Sequence, residues 1–301
     1  MAGFHALRAP ASSANLGPGF DTLALALRLH LRCRFRRAAE RSIRVQGRDA
    51  ALLPGGETNL IWRTAAEAAR AAGLEMPPLE LEIHNEIPVG KGLGSSAAAV
   101  VAGLAIADQV LALGWSRQRI LDEAAQREGH PDNAAACVLG SLVASARDAA
   151  GRTRAVRLAM PEGVQIAVVV PDFALPTVQM RAVLPDTYSS ADAVFNLQRV
   201  ALLVAAMTTG DRCALPTALE DRVHQRYRAA DVPGLEEILG LHAPGLLGCV
   251  LSGAGPSVLV FAEGDAEGPA ELARRVFQRH GLAAQVLATP VEPEGFELSN
   301  D

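Results

Sequence analysis

The sequence is poor in cysteine and contains no CxxC pair, which argues against a zinc site or a disulfide framework and for a reducing compartment. A basic excess is also missing, because the net charge of −5 leaves no electrostatic footprint for nucleic acid. The start, MAGFHALRAP, lacks the apolar region of a signal peptide, and the uncharged run 92–107 is short and rich in small residues. We therefore expect a cytoplasmic protein without a nucleic-acid or membrane partner.

What is present is a composition that can form a large core. The chain has 301 residues, of which 50% are hydrophobic and 20% charged, as in globular proteins. This length allows two domains or one large domain.

The segment PVGKGLGSSAAAVVAG, residues 88–103, has three glycines at alternate positions before an alanine-rich stretch. Glycine lets the backbone approach a ligand closely, and the N-terminus of the helix predicted over 95–113 favours an anion such as phosphate. We expect Ser95 or Ser96 to cap that helix. The spacing is neither a Walker A loop nor a dinucleotide-binding fingerprint, and a glycine-rich turn before a buried helix is the alternative.

Two other segments place polar residues where apolar stretches are interrupted. PASSANLGPGFDTLALAL, residues 10–27, is typical of a tight loop with Asn15 and Asp21 at its ends. EGHPDN, residues 128–133, follows a helix predicted to begin at a Ser116 cap, and Pro131 breaks that helix. So many ionisable and amide groups are hard to explain by packing, although an ordinary hairpin and a solvated loop are the alternatives.

From about residue 160 the pattern changes. Strands near 165–171, 248–253, 257–261 and 283–289 alternate with helices in the order β, helices, β, β, α, β. Without the extra helices this is the ferredoxin-like split β-α-β pattern. The tail PVEPEGFELSND is rich in proline and acidic residues, so we expect it to be poorly ordered.

Three separated segments resemble, in order and approximate spacing, the signature motifs of the GHMP small-molecule kinases. They are PASSANLGPGFD at 10–21, PVGKGLGSSAA at 88–98 and LSGAGPS at 251–257. EGHPDN, TVQMRAVLP at 177–185 and DRVHQRYR at 221–228 are similar to the branch of that family whose substrate is L-homoserine.

The resemblance implies a two-domain α+β fold. Residues 1–160 would form an N-terminal ATP-binding domain that is ribosomal-protein-S5-like, and residues 161–301 a C-terminal ferredoxin-like domain. The implied reaction is ATP-dependent phosphorylation of the side-chain hydroxyl of L-homoserine in threonine biosynthesis, with Mg²⁺. A kinase for shikimate, mevalonate or a sugar would share the motifs, and a non-catalytic ligand-sensing member is a further alternative. A homodimer is compatible with the sequence.

The resemblance also implies a nucleotide and metal site. Mg²⁺ takes hard oxygen ligands and usually only one or two from protein, here Ser96 and Glu128, with Ser95 and Glu123 as the alternatives. The remaining nucleotide contacts would come from Asn59 and the glycine segment, namely Pro88, Gly90, Lys91, Gly92, Leu93, Gly94, Ser95 and Ser96.

The acceptor, an amino acid, has a carboxylate and an ammonium. Guanidinium forks hold carboxylates best, so we expect Arg181 and Arg228 to bind that group, and Asp21 to bind the ammonium. Asn15 and Thr177 complete the predicted substrate site. Asp132, Asn133 and His130 are the predicted catalytic residues, with Asp132 as general base or, alternatively, with no dedicated base.

Overall fold

Two β-sheets organise residues 3–300, the part of the chain that the computed structural model describes. The first sheet has seven strands, in the order β11-β1-β2-β4-β3, and the pair β5 and β6 extends it from β2. Neighbouring strands are antiparallel except for β3, which runs parallel to β4. These strands are β1 His5–Ala14, β2 Leu23–Arg37, β3 Ser42–Gly47, β4 Leu79–Asn85, β5 Leu142–Arg147, β6 Thr153–Leu158 and β11 Glu297–Asn300.

Strand β2 shows why the first sheet has one buried and one open face. Its apolar residues Leu31, Cys33 and Phe35 are buried, while the arginines between them point to the other face. Arg34 and Arg36 pair there with Glu82 and Glu80 of β4, which lie opposite them in register. The alternation places the core on the helix side of the sheet and a charged ladder on the solvent side.

Four helices cover the buried face: α1 Leu60–Ala71, α2 Ser95–Leu111, α3 Arg117–Glu128 and α4 Asp132–Leu139. Helix α2 is the central one, because it is buried along most of its length and contacts the other three. Gly103 allows α1 to approach closely, since a Cβ there would lie 2.6 Å from the carbonyl oxygen of Ile61. Helix α2 therefore packs closely against α1.

The second sheet has four antiparallel strands in the order β10-β7-β9-β8. They are β7 Val164–Pro171, β8 Leu246–Leu251, β9 Val258–Glu263 and β10 Ala284–Ala288. Between β7 and β8 lie α5 Thr177–Ala182, α6 Ser190–Thr209, α7 Leu215–Ala218, α8 Gln225–Arg228 and α9 Leu235–Leu239, and between β9 and β10 lies α10 Glu267–Arg279. The predicted order of strands and helices is confirmed.

Helix α6 is the one helix of residues 3–300 that is long and apolar enough to cross a membrane. A single such helix is weak evidence for a span. Its residues Leu203, Ala206 and Met207 are buried in the protein core.

Two local predictions are wrong. The tail is ordered: Glu297–Asn300 pairs with β1, and Glu292 and Phe296 are buried. The N-cap of α2 is Gly94, in the left-handed conformation at φ 69°, and no serine side chain caps the helix. The division between residues 160 and 161 stays a prediction, and β11 of the first sheet lies beyond it in the chain.

Candidate active site

A cavity of about 300 Å³ is lined by residues from the part of the chain that forms the first sheet, from the part that forms the second, and from all three sequence motifs. Every predicted site residue except Asn59 and Lys91 lines it: Asn15, Asp21, Pro88, Gly90, Gly92, Leu93, Gly94, Ser95, Ser96, Glu128, His130, Asp132, Asn133, Thr177, Arg181 and Arg228. A larger hollow of about 830 Å³ lies on the open face of the first sheet. Arginines there pair with glutamates of neighbouring strands, so we interpret it as a solvated charged face.

The glycine loop is enclosed by backbone and side chains from the other motifs. Gly90, Gly92 and Gly94 have φ of 69°, 76° and 69°, which favours glycine. A Cβ on Gly92 would lie 2.2 Å from the carbonyl oxygen of Ser252, and one on Gly94 would lie 2.1 Å from Ser12 Oγ. Because no side chain caps α2, its first N–H groups remain available to an anion in the cavity.

Hydrogen bonds join the third motif to the other two. Ser252 Oγ donates to the carbonyl oxygen of Gly92 at 2.7 Å and lies 2.8 Å from Ser13 Oγ. The Gly253 N–H donates to the carbonyl oxygen of Ala14 at 3.0 Å. The loop is therefore held in place by segments that are far apart in the sequence.

The segment 15–21 forms one side of the cavity. Asn15 Nδ2 donates to the carbonyl oxygen of Gly253 at 2.8 Å, and Asn15 Oδ1 accepts from the Asp21 N–H at 3.0 Å. Asn15 and Asp21 both have positive φ, 72° and 53°, an unfavourable conformation that surrounding contacts must maintain. Arg181 makes a two-pronged ion pair with Asp21, with distances of 2.9 and 2.8 Å.

Arg228 is buried, at 2% exposure, and is held by three acceptors. It donates to the carbonyl oxygens of Met180 and Gly253 at 3.0 Å each and lies 3.2 Å from His224 Nδ1. Burial, and then the nearby Arg181, lower the pKa of Arg228 to about 10, so it is cationic at neutral pH. The ring of Phe20 lies 5.4 Å from the Arg181 guanidinium and 5.5 Å from that of Arg228.

Asp132 and His130 form a close pair at the start of α4. The Asp132 side chain is buried, and its Oδ1 lies 2.6 Å from His130 Nδ1 and accepts from the Asn133 N–H at 2.7 Å. Burial would lower the pKa of His130, but the hydrogen bond and the charge of Asp132 raise it above its ordinary value. Asn133 Oδ1 in turn accepts from Ser12 Oγ at 2.8 Å. The pair is thus oriented by the first motif.

Ser96 and Glu128 meet at the N-terminus of α2, where Ser96 Oγ donates to Glu128 Oε1 at 2.8 Å. Burial raises the pKa of the Glu128 carboxyl despite this hydrogen bond, and a bound cation would favour the ionised form. Two adjacent hard oxygens on the cavity wall fit a magnesium ion. Glu123, the alternative, instead pairs with Arg119 and Arg127. Ligand atoms of Asp21, His130 and Asp132, within 4.8 Å of one another, form a second such group.

Asn59 and Lys91 do not line the cavity. Asn59 is 4% exposed, caps α1 by accepting from the Ile61 N–H, and donates to the carbonyl oxygen of Pro54. Lys91 Nζ turns away from the cavity and donates to the carbonyl oxygen of Pro171 at 3.0 Å. Their predicted nucleotide contacts stay predictions.

Seven residues that line the cavity were not predicted as site residues: Ala14, Phe20, Arg127, Leu175, Val178, Gly253 and Ala254. Phe20 lies within the first motif, next to Asp21, so its position was a usable signal. Arg127 and Val178 carry no sequence signal of this kind, because each resembles an ordinary surface residue of a helix.

Part of the chain is similar to a known protein family. The family model described as "GHMP kinases N terminal domain" matches residues 59–141, which contain the glycine loop and much of the cavity wall. Fold and site thus define a GHMP-type small-molecule kinase.

Curated relatives narrow this class. The homoserine kinase of Solibacter usitatus (strain Ellin6076) is 60% identical over 98% of this chain and 97% of its own length. That of Deinococcus radiodurans is 42% identical over 96% of this chain and 95% of its own. The crystal structure of homoserine kinase from Cytophaga hutchinsonii superposes with a TM-score of 0.83 at 25% identity, covering 99% of this chain and 98% of that one. The chain belongs to the homoserine kinase family.

Proposed function

We propose that the protein transfers the γ-phosphoryl group of ATP to the side-chain hydroxyl of L-homoserine, giving O-phospho-L-homoserine for threonine biosynthesis. The observation that supports homoserine as the substrate is the charge pattern of the acceptor side, where Arg181, Arg228 and Asp21 lie around one cavity. Two guanidinium groups and one carboxylate complement an amino-acid carboxylate and ammonium. A neutral sugar has no carboxylate with which the two arginines could pair.

The donor nucleotide occupies the glycine-loop end of the cavity. Backbone N–H groups of 90–96 and the free N-terminus of α2 receive the triphosphate, because positive backbone dipoles converge there. Pro88 and Leu93 line the same wall. Asn59 is proposed as an adenine contact on the resemblance alone, and Lys91 as a point charge because it lies within the glycine loop.

Ser96 and Glu128 would hold the magnesium ion. When bound, it neutralises part of the phosphate charge that otherwise opposes attack by the hydroxyl. The chain's own contribution is to keep a hydroxyl and a carboxylate oxygen 2.8 Å apart at the loop's end.

The acceptor displaces part of the Arg181–Asp21 contact. Its ammonium takes the place of a guanidinium edge at Asp21, while its carboxylate bonds to Arg181 and to Arg228. Both charges of the ion pair therefore remain matched when substrate binds, so little desolvation is left uncompensated. Asn15 and Thr177 orient the substrate from the two sides of the cavity.

Asp132, Asn133 and His130 surround the reacting hydroxyl. In one route the Asp132 carboxylate accepts the hydroxyl proton as the oxygen attacks the γ-phosphorus. In the other the proton passes late to a phosphate oxygen, and the three residues only orient the hydroxyl. His130 holds the Asp132 carboxylate in one orientation in either route.

The test is a coupled ADP-release assay with homoserine, shikimate, mevalonate and galactose. We expect the highest kcat/KM with homoserine, and faster turnover of any other acceptor would overturn the substrate assignment. Cytoplasmic location and a homodimer stay predictions from the sequence; fractionation and light scattering would test them.

A further inference from the structure

Arg127, at the end of α3, is a cavity residue whose bonding capacity is only partly used. Its side chain is 22% exposed, and Nη1 bonds to the side chain and the carbonyl oxygen of Glu123 at 2.5 and 3.2 Å. Its Nε is buried and has no hydrogen-bond partner among residues 3–300. A buried donor without a partner costs free energy and calls for an explanation.

The other two arginines on the cavity wall, within the described residues, have defined partners. Arg181 is paired with Asp21, and Arg228 donates to two carbonyl oxygens and contacts His224. Both also lie on the acceptor side. Arg127 directly precedes Glu128, whose carboxylate bonds to Ser96 at the end of the glycine loop. Of the three arginines that line the cavity, it is therefore the one that directly adjoins a residue of the phosphate end in the chain.

We infer that Arg127 is a further binding residue of the reaction, which turns its guanidinium from Glu123 to a phosphate oxygen of the nucleotide. The exchange gives up the ion pair with Glu123 and the hydrogen bond to its carbonyl oxygen. Glu123 stays paired, because Arg119 contacts its Oε1 at 2.6 Å. The new contact gives Nε a partner and pairs the guanidinium fork with a phosphate, which is a strong, charge-assisted bond.

This inference rests on the proposed kinase activity, and the helix itself supplies a matched control. Arg119 and Arg127 flank Glu123 at four residues before and after it, and each forms an ion pair with it. Only Arg127 lines the cavity. Arg119→Met and Arg127→Met thus each remove one ion pair with Glu123, but only the second removes a cation from the cavity.

We expect Arg127→Met to lower kcat/KM for ATP and the affinity for ADP by about 10- to 100-fold, as for loss of a hydrogen bond to a charged group. KM for homoserine should change less than about twofold, and Arg119→Met should leave all three values within that range. Arg127→Lys should recover part of the loss, since it keeps the charge without the fork. Calorimetry with ADP and steady-state kinetics measure these values.

Equal kinetics for Arg127→Met and Arg119→Met, with an active wild type, would overturn the inference and leave the proposed function intact. An inactive wild type would refute the proposed function itself. Glu123→Gln gives a second measurement should Arg127→Met unfold: it releases Arg127 without removing it. Nucleotide affinity should then be unchanged or higher, and a tenfold loss would also overturn the inference.

Discussion

Replacing Gly92 with alanine tests how tightly the glycine loop is held by the third motif. A Cβ at this position would lie 2.2 Å from the carbonyl oxygen of Ser252, which is a backbone atom and cannot rotate away. Ordinary contacts of a Cβ atom begin at 3.4 Å, so the loop or the third motif must move by about 1 Å. A misplacement of about 1 Å can lower the rate about 10²-fold, so we expect kcat/KM to fall by about that factor.

Gly73→Ala is the matched control. Gly73 has φ 73°, close to the 76° of Gly92, but a Cβ there would meet nothing within 4 Å. Both variants carry the left-handed strain of about 1 to 2 kcal/mol, whereas only Gly92→Ala carries the clash. Thermal melts should therefore show a lower melting temperature for Gly73→Ala and a still lower one for Gly92→Ala. The turnover of Gly73→Ala should be unchanged. If the two variants keep the same kcat/KM in the ADP-release assay, the loop is not held as we describe.

Three further predictions concern the acceptor side. Arg181→Met should raise KM for homoserine about 10- to 100-fold with little change in KM for ATP, and equal effects on both in steady-state kinetics would make Arg181 structural. Asp132→Asn should lower kcat about 10²- to 10⁴-fold if Asp132 is the general base, whereas a small loss in single-turnover kinetics would favour the route without one. Because the folded pKa of His130 is raised above its ordinary 6.5, the stability it contributes is complete below that pH and is lost as pH rises through the folded value. In denaturant titrations from pH 6 to 9, the difference in free energy of unfolding between the wild type and His130→Gln should shrink as the pH rises. A constant or growing difference would contradict a stabilising His130–Asp132 pair.

Much of the fold could be predicted because the local patterns agree with the packing. The strand near 165–171 and the helix after the Ser116 cap were correctly predicted, since a short apolar run and capping are local signals. The tail was mispredicted because its order comes from pairing with β1 and from the buried Glu292 bonded to His30 at 2.9 Å. Such partners, more than 260 residues away in sequence, leave no local trace.

The α2 cap fails for a similar reason. The sequence places two serines at the start of α2, and serine is a preferred cap. In the folded chain Ser96 instead bonds to Glu128, and the space beside Gly94 is filled by Ser12 and Asn133. Whether a serine caps the helix or lines a ligand site depends on its neighbours in the folded chain, and a single sequence does not show which residues those are.

Some residues of the candidate site could likewise be predicted from the sequence, and others could not. Asn15, Asp132 and Arg228 line one cavity, and each lies in a segment that the sequence marks by its cluster of polar residues. Arg127 could not be found, because an arginine four residues after a glutamate on a helix is typical of a solvated ion pair. Its unpaired Nε is visible only in three dimensions.

The pairing of β1 with β11 links the order of synthesis to completion of the first sheet. β1 leaves the ribosome before β11, so one of its edges is uncovered until Glu297–Asn300 emerges, some 280 residues later. An uncovered edge can pair with another chain, so the newborn protein is exposed to aggregation throughout elongation. A fragment of residues 1–160 would retain that open edge permanently, and would leave His30 without Glu292. The glycine loop is likewise enclosed only after the third motif has been made, because the Gly92 carbonyl oxygen accepts from Ser252.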